Sequence, residues 1–301
     1  MDWIIPMEPV LIDTIKQGSQ WIHQVKWDGI RGLCYIEDNN INLYTKSRRE
    51  RCQWYPDITE RIILQKCKQA ILDGELIVLD EHGKPSFHNI MSRERIRRQE
   101  RLKQYLKKFP VQYMVFDILY KDGKDLRELP LLKRKEILES TLKSEGMIHI
   151  VSDYEEGDTL FSKMKQKNME GIVSKDINSP YISGKKHRSW FKTKIAKEII
   201  ATVCGLKVKD NEVKSLVIGE YKQGSLVPIG SVSSGLSYKD RTILFNSLQQ
   251  LKQETSSLDL NKNTDDIIWI KPVLNVLVSY LEREENGSLR HPVLVGFKEF
   301  S

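Results

Sequence analysis

Lys26, in the run Lys26-Trp27-Asp28-Gly29-Ile30-Arg31, ends a stretch of strand-forming residues and precedes a tight turn, with an acid two and an arginine five residues on. A lysine held at a strand end becomes a nucleophile once neighbouring cations lower its pKa from about 10.4. Alone, the run reads equally well as a β-turn flanked by solvated charges. Asp73-Gly74-Glu75 lies inside an apolar stretch, where a bare carboxylate is costly without a cation or donors. Phe116-Asp117 interrupts a second apolar stretch, and Glu170 stands at the mouth of a third, Gly171-Ile172-Val173-Ser174-Lys175. Lys192 and Lys194, in Trp190-Phe191-Lys192-Thr193-Lys194, fall at i and i+2, on one face of a strand. Two adjacent ammonium groups repel, so a shared anionic ligand explains them better than packing does. Each feature has a bland reading: Phe116 as core, Asp117 as a strand-end cap, the lysines as a solvated edge. Together, lysines, arginines and acids recurring at strand ends fit a site for a polyphosphate and a metal ion.

Such residues need strands to hold them. Segments 21–26, 30–37 and 41–45 read as strands separated by turns, and 56–69 as a helix with Pro56 near its start. Segment 70–80 reads as a buried strand pair or one strand bent at Gly74, and 111–120 as an apolar strand closed by a KDGKD turn. The basic segment 92–108 reads as a helix with Ser92 as N-cap. Helices follow at 130–143 and 158–168, with strands at 147–153 and 171–176. Beyond Lys194 come short strands at 198–209, 215–221, 226–232, 273–281 and 293–297, with one helix at 238–253. That pattern fits a small β-barrel of the OB type. The expected fold class is α+β: a domain of antiparallel sheets with flanking helices at 1–196, followed by an OB-type domain at 197–301.

Charge changes at the same place. Residues 1–196 carry 35 Lys+Arg and 28 Asp+Glu, whereas 197–301 carry 13 of each. Segment 93–108 alone has eight basic and two acidic residues, which favours a polyanionic partner, with Arg93, Arg97, Arg98 and Arg101 as its candidate contacts. A chain of 301 residues with 40% hydrophobic content is too large for a disulfide-stapled miniprotein and too apolar for a disordered one. Its most apolar stretch, 267–281, is broken by Lys271 and Pro272 and falls short of the roughly 20 residues that span a bilayer. The N-terminus has no secretory pattern. Cys34, Cys52, Cys67 and Cys204 have no metal-ligand spacing and read as free thiols of a reducing cytoplasm.

KWDGIR, the SRR at 47–49, LDGE at 72–75, FDIL at 116–119, EGIVSK at 170–175 and WFKTK at 190–194 resemble the ordered motif series of ATP-dependent DNA ligases, within the covalent nucleotidyltransferase superfamily. The likeness spans the chain and is strongest to the ligase domain of bacterial non-homologous end-joining ligases. It implies a nucleotidyltransferase (adenylation) domain and an OB domain that together seal nicks through a lysyl-AMP and a DNA-adenylate. By that resemblance Lys26 is the nucleophile, with Asp28, Lys192 and Lys194 beside it in catalysis. Gln24, Val25, Arg31, Arg48, Glu75, Phe116, Val173 and Lys298 join Lys26, Lys192 and Lys194 as nucleotide-binding positions. Glu75 and Glu170 are the expected ligands of Mg²⁺ or Mn²⁺. ATP is the expected cofactor and nicked double-stranded DNA the partner, with a Ku-like end-binding protein as a further one. The expected molecule is a monomer in the cytoplasm, associated with the nucleoid, and no membrane is involved.

This chain departs from the family pattern at two motifs and also lacks the polymerase and nuclease modules that often accompany such a ligase domain, so a stand-alone enzyme or a fragment is expected. Gln24 stands where many relatives carry a Glu that accepts from the adenine amino group, and an amide oxygen can still accept that bond. The C-terminal motif ends Lys298-Glu299-Phe300 rather than in a basic–x–Asp–Lys pattern. Two other readings share the motifs: an RNA ligase or mRNA guanylyltransferase, and a non-catalytic nucleic-acid-binding module.

Overall fold

The computed structural model describes residues 2–38, 40–258, 266–284 and 286–298. The chain forms two units, Met1–Ile195 and Ala196–Ser301. In chain order the first contains β1 (Glu8–Leu11), β2 (Trp21–Val25), β3 (Ile30–Glu37), β4 (Asn40–Thr45), α1 (Pro56–Thr59), β5 (Gln69–Val78), α2 (Phe87–Glu94) and α3 (Gln99–Lys108). It continues with β6 (Val111–Lys121), β7 (Lys124–Asp125), α4 (Leu131–Thr141), β8 (Ile148–Ile150), α5 (Gly157–Gln166), β9 (Gly171–Asp176) and β10 (Lys186–Lys194). Two sheets result, one of order β1-β10-β9-β2 and one of order β4-β3-β5-β6-β7 with β8 on β6.

Alternation along β3 explains how the sheets meet. Cys34 and Ile36 turn to one side, where Leu72, Leu76, Tyr113 and Val115 join Ile58, Ile90, Leu102 and Leu138 of the helices in the main core. Leu33 and Tyr35 turn to the other side, where with Ile71 and Leu119 they pack on Met7, Tyr181 and Trp190. The second cluster ties the larger sheet to the smaller one. Each such side chain, fully buried, contributes about 1.5–3 kcal/mol. Beyond this cluster the sheets part, and the gap becomes a cleft.

Local patterning overstated the helices. Of the helix expected at 56–69 only α1 forms: Gln65 N–H donates to Thr141 O at 2.6 Å and Lys66 takes φ 53°, so long-range bonds draw the chain off its helical path. The single helix expected at 92–108 is two, α2 and α3, and the cap of the first is Ser86, whose Oγ accepts from Asn89 N at 3.3 Å. The break falls between Arg95, which caps the end of α2, and Arg98, which is extended at φ −121° and ψ 123° and starts α3. Among the described residues no helix is long and apolar enough to cross a membrane.

The second unit contains β11 (Lys197–Lys209), β12 (Glu212–Lys222), β13 (Ser225–Val232), α6 (Tyr238–Asn246), α7 (Leu248–Leu251), β14 (Ile267–Tyr280), β15 (Glu282–Arg283), β16 (Leu289–Arg290) and β17 (Val293–Lys298). Its main sheet has order β13-β12-β11-β14-β17, and a Ser234–Val293 bridge just past β13 links the two edges. Register shifts at 203/205, 218/219 and 277/278 bend the strands around a core that includes Val203, Leu216, Ile218, Val276 and Val278. This is the expected barrel. The helix expected at 238–253 is split into α6 and α7.

Candidate active site

Strand register, more than any loop, gathers the site. Gln24 pairs with Val173, which pairs with Lys192; Ile22 pairs with Lys175, which pairs with Trp190. Directly opposed residues share a face. Gln24, Val173, Lys175, Trp190 and Lys192 therefore all look into the cleft, and Lys26 and Lys194, each two residues further on, extend the row at the strand ends. The larger sheet answers with the Arg31–Glu75 pair of β3 and β5 and with Phe116 of β6. Between them lies a cavity of about 160 Å³ with two distinct ends. Phe116, Val151, Val173 and Trp190 make one end aromatic and aliphatic, while Lys26, Lys46 and Lys192 make the other cationic.

At the cationic end three strand termini converge on one carboxylate. Glu170 Oε2 accepts from Lys26 Nζ at 2.5 Å, and its Oε1 is 2.8 Å from Lys194 Nζ. Gly171 allows this approach: its φ is 147°, and a Cβ there would collide with the Thr193 carbonyl. Burial, and then the charges of Lys26 and Lys194, lower the pKa of Lys192. Burial pushes Glu75 up to about 7, against the pull of Arg31 and Lys26. Glu75 and Glu170 supply the hard oxygen donors that suit a divalent cation. Among the described residues no cluster of three or more His, Cys, Asp or Glu could hold a metal. An ion here would take the rest of its shell from phosphate oxygens and water, as Mg²⁺ does.

Second-tier pairs hold these groups still. Arg31 donates from Nε and Nη2 to the two oxygens of fully buried Asp73, and Nη2 also reaches Met7 O at 3.1 Å. Tyr181 Oη donates to Asp73 Oδ2 at 2.7 Å. Asp117 is not a strand-end cap. It lies fully buried in a bidentate pair with Arg134 of α4, at 2.8 and 2.9 Å, and so anchors the strand that carries Phe116.

The aromatic end holds an unusual cation. Lys175 is 2% exposed, its Nζ lies 4.1 Å from the Phe116 ring centre and 4.0 Å from that of Trp190, and it has no hydrogen-bond partner among the described residues. Burial pulls it down to about 7. An amine confined there is free to bond a ring nitrogen of a bound base. Sequence reasoning quoted EGIVSK and WFKTK without using Lys175 or Trp190, although both continue the period-two rows of Val173 and Lys192.

Not every expected residue joins the site. Arg48 lies instead beside Trp3, its guanidinium 5.8 Å from that ring centre, in a separate cavity with Tyr35 and Tyr44. Asp28 occupies the turn after Lys26, and Val25 lines the cavity. Lys298 is on β17 of the second unit, opposite Asn275, and Glu299 and Phe300 lie outside the described residues. Arg93 is corrected: it is fully buried, with Nη2 donating to Asp57 Oδ1 at 2.8 Å, and a guanidinium locked in the core cannot meet DNA. Arg97, Arg98 and Arg101 are exposed and, with Arg95 and Tyr105, line a basic depression of about 500 Å³.

Residues 9–194 match the family model of the ATP dependent DNA ligase domain, and 209–299 that of the ATP dependent DNA ligase C terminal region. The SPbeta prophage-derived DNA ligase-like protein LigB of Bacillus subtilis is 29% identical over 95% of this chain and 97% of its own. The multifunctional non-homologous end joining protein LigD of Mycolicibacterium smegmatis is 28% identical over 94% of this chain, which spans only 36% of that relative. Among solved structures, the ligase domain of M. tuberculosis LigD aligns over 98% of this chain and 95% of its own, with a TM-score of 0.55 at 25% identity. A mycobacterial DNA ligase D complexed with ATP and MES aligns over 97% of this chain and 95% of its own, with a TM-score of 0.52 at 25% identity.

Proposed function

The chain belongs to the ATP-dependent DNA ligase family, and from that premise we propose that it seals 3′-hydroxyl/5′-phosphate nicks in duplex DNA through a lysyl-AMP on Lys26. The observation that carries this reading is the meeting of Lys26, Glu170 and Lys194 at three strand ends, beside a cavity with one cationic and one aromatic end. Adenine enters the aromatic end between Val173 and Phe116, and Lys175 donates to a ring nitrogen. The phosphates then lie toward Lys26, Lys192 and Lys194.

Lys26 Nζ, released from Glu170, gives up a proton to solvent and attacks the α-phosphorus as the neutral amine, forming a P–N bond as the bond to pyrophosphate breaks and losing its second proton to solvent. Lys192 and Lys194 offset the charge that builds on the α-phosphoryl oxygens. Arg31, spent largely on Asp73, acts as a rigid wall with one nitrogen left over. Glu75 and Glu170 would hold Mg²⁺ or Mn²⁺, which supplies charge neutralisation for the polyphosphate. The 5′-phosphate of the nick next takes AMP from Lys26, and the 3′-hydroxyl displaces AMP to close the strand. Both are in-line displacements at phosphorus, in which positioning outweighs proton transfer. Arg97, Arg98 and Arg101 contact the DNA backbone without reading sequence. The LigD relatives named for non-homologous end joining support a repair role beside a Ku-like end-binding protein; a monomeric, nucleoid-associated enzyme completes the proposal.

Mass spectrometry of protein incubated with ATP tests the first step. One AMP adduct on Lys26 is expected, absent from Lys26→Ala and discharged by nicked DNA but not by nicked RNA. An adduct elsewhere, or none, refutes the mechanism.

A further inference from the structure

The aromatic end of the cavity is backed by a hydrogen-bond chain whose two charged members, Asp153 and Lys135, do not line it. Gln24 Nε2 donates to Asp153 Oδ1 at 2.7 Å, and Lys135 Nζ donates to that same oxygen at 2.9 Å and to Val151 O at 3.0 Å. Gln24 is 2% exposed and Lys135 3%. Gln24 lines the cavity on the face that carries Val173 and Lys175, whereas Asp153 and Lys135 stand behind it.

A primary amide has one accepting and one donating half, and turning it over exchanges them. Beside a carboxylate ion-paired with an ammonium, only the amide nitrogen finds a partner; the oxygen there would face another acceptor. Asp153 and Lys135 therefore decide which half of Gln24 is left over. Gln24 makes no other side-chain hydrogen bond among the described residues, so the half left over is Oε1. We propose that Asp153 and Lys135 are positioning residues for base selection, fixing the Gln24 amide so that it presents an acceptor to the 6-position of a purine. Adenine meets that acceptor with an amino group, whereas guanine meets it with a carbonyl oxygen and is repelled. The inference rests on the nucleotide-binding reading given above and deepens it. It explains how a glutamine, able in principle to serve either base, is committed to one.

The full chain is compared with Asp153→Asn, Gln24→Glu and the double variant. ATP and GTP binding are measured by calorimetry, and lysyl-nucleotide formation by mass spectrometry. An asparagine at 153 can donate to Gln24 Oε1 and turn the amide over, so the ATP:GTP affinity ratio is expected to fall by about 10-fold or more. Gln24→Glu alone sets two carboxylates against each other and weakens both nucleotides. The double variant removes that clash, keeps an acceptor in place, and returns the ratio to within about 3-fold of wild type. An unchanged ratio in Asp153→Asn, or no recovery in the double variant, overturns the proposal. If Asp153→Asn does not fold, Asp153→Ala gives the same reading, because Lys135 Nζ, deprived of its carboxylate, becomes a donor for Gln24 Oε1 and the nitrogen half is left over; a ratio unmoved there overturns it equally. Wild type that prefers ATP yet forms no adduct counts against the ligase mechanism and leaves this relay supported. Wild type that binds both nucleotides alike sinks the relay, whatever adduct it forms.

Discussion

Lys175, proposed above to bind the base, is kept in place at the expense of the fold. Its folded pKa, about 7, lies below the unfolded lysine value, so the unfolded chain holds the extra proton between about 7 and 10.4. The destabilisation is fully present below pH 7 and fades as pH rises toward 10. Lys175→Met is therefore expected to raise thermal stability, by a few kcal/mol at pH 6 and by less at pH 9, while ATP binding weakens by about 10-fold. Melting curves at the two pH values check the sign, and a variant less stable at pH 6 would refute the account. This lysine was hard to find in the sequence. Its partnerless burial depends on Trp190 of β10 and Phe116 of β6, residues far from it along the chain. Lys192 and Lys194 were easier, because strand periodicity puts them on one face, whereas Lys26 and Glu170 stood out as charges at strand ends within the motif series.

Among the elements, strands were read more faithfully than helices, for a physical reason. A strand buried on both faces, such as β3 or β6, is bounded by its own turns and residue types. The end of a helix is decided by what reaches it from elsewhere: Thr141 accepting from Gln65, or Asp57 pairing with Arg93. The same long-range logic makes the β9–β10 seam sensitive. Gly171→Ala would drive a methyl group into the Thr193 carbonyl from a backbone conformation suited to glycine. We expect a loss of about 2 kcal/mol or more and a larger loss of lysyl-AMP formation, since Glu170 and Lys194 sit on either side of that seam. Thermal melts and adduct yield measure the two effects. A variant with full adduct yield would show that the seam does not set the Lys26–Glu170–Lys194 geometry.

For the whole molecule, the excess charge lies entirely in residues 1–196, and the exposed arginines of 97–101 are its densest part. Neutralising Arg97, Arg98 and Arg101 together is expected to weaken nicked-duplex binding and to flatten the log–log salt dependence by about 2–3 units, while ATP still loads Lys26. Equal affinities across several salt concentrations would exclude this surface as the DNA contact. The basic run was plain in the sequence, but its inward-facing member was not: nothing local distinguishes Arg93 from its neighbours until Asp57 folds against it. The Lys26–Glu170–Lys194 clasp has a consequence for the idle enzyme. A reactive amine in a cell is exposed to cyanate, acyl phosphates and other stray electrophiles, any of which would poison it permanently. On the proposed mechanism, the ion pair with Glu170 would occupy Lys26 until nucleotide arrives and guard it from such damage, a safety catch built into the site.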